Sequence, residues 1–146
     1  MTFPTSEQGD SGHDYPGRRR GLPEQGPGAV AGWGRRVLAL VIDWALSMLA
    51  VSAFIGQDVW TGQGAARWAP LLVFGFEVWI LTTLVRGSAG QLITGVVIRR
   101  TSGQPLDLLR ALLRTVLICL VFPPVIYNRD QQGLHDLAVD AIALRR

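Results

Sequence analysis

Residues 37–56, VLALVIDWALSMLAVSAFIG, decide how this chain is read. About 20 residues of helix, rising about 1.5 Å each, cover the roughly 30 Å hydrocarbon core of a bilayer. Asp43 is the only charged residue in the stretch. On insertion scales each Leu, Ile, Val or Phe contributes about −0.3 to −0.6 kcal/mol, against about +3 kcal/mol for one central Asp. The apolar side chains outweigh the acid, so the stretch is expected to cross a membrane. A cleaved secretory signal is the rival reading, because Arg35-Arg36 precede the run and Val51-Ser52-Ala53 offers small residues for cleavage. Against it, the run is long, carries an ionisable residue and follows a long polar segment.

A second apolar block lies at 69–85, APLLVFGFEVWILTTLV, with Glu77 near its middle. It has the shortest length that can span. Trp60 and Trp68 sit in the connection between the blocks and Trp33 just before the first. Trp favours the water interface because its ring is apolar while its N–H needs a partner. The third block, 106–127, LDLLRALLRTVLICLVFPPVIY, holds Arg110 and Arg114 one helical turn apart and ends its helix at Pro123-Pro124. It reads either as a full span or as a re-entrant segment that turns back at the prolines.

Composition agrees with a membrane chain. Of the 146 residues 49% are hydrophobic, and mean hydropathy is +0.27. That excludes a collagen-like or wholly disordered protein, and the single Cys119 excludes a disulfide framework. All 14 basic residues are arginine, and net charge is +3. Residues 1–31 hold four of the eight prolines and six glycines, with few apolar side chains, and are expected to be a disordered tail. His13, alone in that tail, reads as a solvated side chain. Between the second and third blocks, Val96, Val97 and Ile98 are candidates for a short strand and 102–105, SGQP, for a turn. The end of the chain is ambiguous. Positions 134, 137, 141 and 142 suit an amphipathic helix, whereas 139, 141 and 143 alternate as in a strand.

Arginine placement gives an orientation. Arg18, Arg19, Arg20, Arg35 and Arg36 precede the first block, and Arg86, Arg99 and Arg100 follow the second, whereas the intervening connection carries only Arg67. The positive-inside rule then puts the N-terminus in the cytoplasm. Arg129, Arg145 and Arg146 also favour the inside, which agrees with a re-entrant third block rather than a third crossing.

Counted along helices, Asp43 lies about 10 Å from Arg36, Glu77 about 12 Å from Val85, and Arg114 and Arg110 about 12 and 6 Å from Leu106. Arg36 and Asp43 share a helix face. These five residues are the candidate intramembrane charge network, since unpaired charges inside a bilayer are costly. Two readings of it stay open: an ion network that holds helices together, or a proton or cation site. His135 and Asp136 form a second constellation, too small for a metal site by itself. Cys119 reads as a small buried hydrophobe. No phosphate loop, nucleophile motif or metal-ligand spacing occurs, so neither a cofactor nor enzymatic activity is expected. The arginines flank apolar segments and read as topology and lipid contacts, not as a nucleic-acid surface.

The segments 35–43 (RRVLALVID), 87–91 (GSAGQ), 95–99 (GVVIR), 110–114 (RALLR) and 133–136 (GLHD) together resemble the RDD family of bacterial membrane proteins. The resemblance covers residues 32–146. It implies that Arg36, with Arg35 as runner-up, matches the family's arginine, Asp43 its first aspartate and Asp136 its second. It implies no established activity, although transport of unidentified ligands has been suggested for the family. No basic residue follows Gln91 directly, where such sequences often carry one.

The expectation is an all-α multi-pass protein of the bacterial inner membrane. It has two transmembrane helices, a third hydrophobic segment, spanning or re-entrant, and a disordered tail over 1–31. Two functions follow. One is transport or cation/proton coupling through the intramembrane acids; the other is a structural or accessory role without transport. So few spans offer little wall for a pore, and either reading favours a homo-oligomer or a membrane partner in the lipid bilayer.

Overall fold

The computed structural model describes residues 14–120 and 131–146. Two long helices form its body. The first, α1, runs Trp33–Ile55, ends at Gly56 and begins four residues before the apolar run, so that Arg35 and Arg36 lie inside the helix. A short turn of helix, α2 (Asp58–Thr61), and a 3-10 segment (Gly64–Trp68) lead back into α3, Ala69–Val85. The bounds of α3 are those read from the sequence. Arg36, Ala39, Asp43, Ser47 and Val51 are the buried residues of α1, spaced three or four apart and hence on one face.

A compact cap closes the end where α1 begins and α3 finishes. It contains the short helix α4 (Ala89–Ile93) and strand β1 (Val96–Arg100). Next comes α5, Leu108–Cys119, lying along α3 where Gly75 leaves room for Cys119 and Thr115. The chain is next described at Gln131, forms one turn of helix, α6 (Leu134–Leu137), and finishes as strand β2, Ala141–Arg145. The strands pair antiparallel, Val96 opposite Arg145 and Arg100 opposite Ala141.

The sheet corrects the all-α expectation. It also resolves the ambiguous end: 134–137 is helical and 141–145 is a strand. Residues 28–31, expected in the tail, lie along the outer edge of β2. Gly28 N–H donates to Arg145 O at 2.9 Å, Arg145 N–H to Ala29 O at 2.8 Å, and Ala31 N–H to Ala143 O at 2.9 Å. The small side chains of Ala29 and Ala31 are buried there, and pairing satisfies an otherwise open strand edge. Ala31, Val96, Ile98, Leu106, Val139 and Ala143 belong to the apolar centre of the cap. The rest of the expected tail falls in two parts: 1–13 lies outside the described residues, and Arg18–Arg20 form a 3-10 turn.

Pairing of β2 with β1 also bears on the third hydrophobic block. Only its helix α5 is described; Val121 to Asp130, with both prolines, lie outside the described residues. Because β1 is tied to the end of α3 by Ile98 N–H donating to Arg86 O at 2.6 Å, β2 lies at that same end. Helix α6 and strand β2 therefore belong to the cap.

Burial is inverted relative to a water-soluble fold. Asp43, Arg114 and Asp136 are at most 2% exposed, whereas Phe54 is 92%, Leu72 71%, Leu84 72% and Leu109 74% exposed. In α5 the buried face holds Ala111, Arg114, Thr115 and Ile118, while Leu108, Leu109, Leu112 and Leu113 are exposed. Both long helical stretches, Trp33–Ile55 and Gly64–Val85, are long and apolar enough to cross a bilayer, and only 22% of the most apolar window of each is buried. A hydrocarbon surround accounts for both halves of this pattern. This is a membrane protein.

Candidate functional site

The expected charge layer separates into two centres. In the first, Asp43 of α1 and Glu77 of α3 converge on the N-terminus of α4. That end leaves backbone N–H groups without intrahelical acceptors, and it carries partial positive charge. Asp43 accepts from Gly90 N–H through Oδ1 and from Ser88 Oγ through Oδ2. Glu77 Oε1 accepts from Ala89 N–H at 2.8 Å. Ser88 and Gln91 complete a reciprocal capping box. At the other end of α4, Arg35 Nη1 donates to Thr94 O at 2.8 Å. The two long helices thus hold α4 by acids at its positive end and a cation at its negative end.

Close packing is built into this joint. A Cβ on Gly90 would run into the Ala39 carbonyl oxygen, so only glycine lets α4 approach α1. Neither acid forms an ion pair with an arginine among the described residues. Glu77 Oε2 is buried and has no hydrogen-bond partner there.

The second centre surrounds Asp136, which has no exposed surface. Arg114 Nε donates to its Oδ1 at 2.7 Å, and Arg36 Nη1 lies 3.4 Å from its Oδ2. His135 Nε2 is 3.3 Å from Oδ1. Arg36 also donates from Nε to Ala31 O at 3.0 Å, tying α1 to the strand edge. Burial pushes the Asp136 carboxyl up, but the charges of Arg114, His135 and Arg36 outweigh it and hold the group below the usual carboxylate range. A cavity of about 20 Å³, the size of one water molecule, lies among Arg36, Gln91, Arg114 and His135. Arg114 Nη1 is buried without a hydrogen-bond partner among the described residues.

Arg36, Asp43 and Asp136 therefore all lie in the packed junction between the long helices and the cap. A family model matches residues 30–140, that of the RDD family. The chain belongs to the RDD family. No curated protein and no solved structure matches it. Of the three residues that the resemblance singles out, Arg36 and Asp136 meet directly, while Asp43 faces α4 instead.

Arg110 stands apart from the RDD cluster. It pairs with Asp107 at 3.3 Å, both side chains well exposed, and donates to Val139 O at 3.2 Å. Arg114 likewise takes Asp136 rather than Asp43 as its partner. Ser88 and Gly90 are the site residues that the charge-based reading passed over, although Ser88-x-x-Gln91 carries the spacing of a capping box. Among the described residues no three His, Cys, Asp or Glu side chains gather as a metal site.

Proposed function

We propose that this RDD-family protein is a non-enzymatic, ion-coupled transport protein in which Glu77 exchanges protons. The observation that carries this reading is the unequal treatment of the two acids. Asp43 is 1% exposed with both carboxylate oxygens held, so it is a fixed part of the joint. Glu77 is only half-buried, and its Oε2 has no hydrogen-bond partner among the described residues. A charged oxygen buried in that way is costly, and binding of a proton removes the charge. Its neighbour α4 is held by hydrogen bonds from side chains, so a change of charge on Glu77 alters the fastening of Ala89 directly.

In this proposal the cap faces the cytoplasm of a bacterial cell. Arg86, Arg99, Arg100, Arg145 and Arg146 gather at that end, and Arg67 stands at the other. Two spans wall no pathway, so the working unit is a homo-oligomer or a complex with another membrane protein.

A purely structural role is the second reading, favoured by the occupation of Ala89 and Gly90 N–H by Glu77 and Asp43. Proton flux into proteoliposomes containing only this chain, read by an internal pH dye under imposed cation gradients, separates the two. The transport reading expects flux that Glu77→Gln abolishes while the variant keeps the wild-type melting profile. Absence of flux in the wild type, or flux unchanged by Glu77→Gln, leaves the structural role.

A further inference from the structure

We infer that the cap carries a binding site for the phosphate headgroup of an anionic phospholipid. A cleft of about 680 Å³ opens between the end of α3, α4 and the sheet. Arg86, Arg99, Arg145 and Arg146 line it, and no Asp or Glu side chain does. None of these four arginines forms an ion pair among the described residues. The Nε of Arg99 is buried with no hydrogen-bond partner among the described residues. Four arginines lining one cavity with no acidic side chain among the described lining residues make a site suited to an anion, and guanidinium geometry matches phosphate oxygens.

The position of the cleft selects the source of the phosphate. Arg86 directly follows the last residue of α3, so the cleft opens at the depth where a span meets the headgroup layer. Val85 and Leu92 line it beside the arginines, and neighbouring Leu84 and Ile93 are 72% and 67% exposed. A lipid places its phosphate against the arginines while its acyl chains follow these apolar side chains down the outside of α3. A soluble phosphate uses only the arginines. Basic pockets at the ends of spans bind acidic headgroups on this principle. The site shares no residue with the Glu77 joint.

Full-length protein in neutral detergent, titrated with phosphatidylglycerol or phosphatidylcholine and read by native mass spectrometry, tests the assignment. Tighter retention of phosphatidylglycerol is expected, and Arg99→Gln/Arg145→Gln should weaken it about 30-fold, from the loss of two interfacial cations. Arg67→Gln, at the opposite end, should leave it unchanged. Should the double variant not fold, Arg86→Gln/Arg146→Gln removes two outward arginines instead and carries the same expectation. Equal retention of both lipids, or undiminished retention by a folded double variant, overturns the proposal. Displacement of bound lipid by inorganic phosphate at equal concentration also overturns it, since the site then serves a soluble anion.

Discussion

Arg36 and Asp136 stand 100 positions apart in sequence and 3.4 Å apart in the fold. One belongs to the first turn of the first span, the other to a single helical turn near the end of the chain. Their meeting, with Arg114 on the same carboxylate, ties α1, α5 and the sheet into one junction. That junction has a topological consequence: it brings the last strand to the end at which the first span begins.

Single cysteines at Thr61 and Ser102, in a Cys119→Ala background, should therefore label from opposite sides with an impermeant maleimide. A reporter fused after Arg146 should share the side of Ser102. With the cap in the cytoplasm, only Thr61→Cys is labelled on intact cells. A reporter on the Thr61 side would contradict the pairing of β2 with β1.

The tight approach of α4 to α1 gives a steric prediction. Gly90→Ala should destabilise the protein by about 1–3 kcal/mol, because the added Cβ meets backbone that cannot swing aside. Gly34→Ala is the control: it lies in α1 with open space around it and should stabilise by about 0.5–1 kcal/mol. Thermal unfolding in one detergent, followed by circular dichroism, measures both. Equal effects of the two substitutions would show that α4 does not pack as described.

Acid should loosen the junction. The Asp136 carboxyl is depressed by Arg114, His135 and Arg36 against the opposing effect of burial, so it binds its proton less readily when folded than when unfolded. Its contribution is complete above the unfolded value of about 4 and is lost as pH falls through the lower folded value. Melting temperature should hold steady down to about pH 5 and fall below about pH 4. Asp136→Asn should melt lower at neutral pH and show a shallower fall. A wild-type profile unchanged on acidification would argue against a depressed carboxyl.

Much of the membrane architecture is legible in the sequence, because hydrocarbon imposes long apolar runs that stand out locally. The second span shows this in its unchanged bounds, Ala69–Val85. The first begins earlier than its apolar run because Arg36 is buried by a partner from the far end of the chain, which no local pattern reveals. Helix α4 is too short for periodicity, and its signal is the capping pair Ser88 and Gln91. Counting depth from Leu106 put Arg114 level with Asp43, but depth along a helix does not specify the neighbouring helix face. The carboxylate that takes Arg114 comes from α6, 22 residues on. Arg35, read only as a topology signal and runner-up family position, is also the residue that closes the C-terminal end of α4.

The most direct test of this account is a double-mutant cycle on Arg114 and Asp136, measured by reversible unfolding in mixed micelles. Asp136→Asn strands the buried Arg114, Arg114→Gln leaves Asp136 with the longer contacts to Arg36 and His135, and each should cost about 3–5 kcal/mol. The double variant removes both charges and should be less destabilised than the sum of the two losses, giving a coupling energy of about 1–3 kcal/mol. Losses that simply add would mean that the two side chains do not share the junction, and the architecture built on Asp136 would fail.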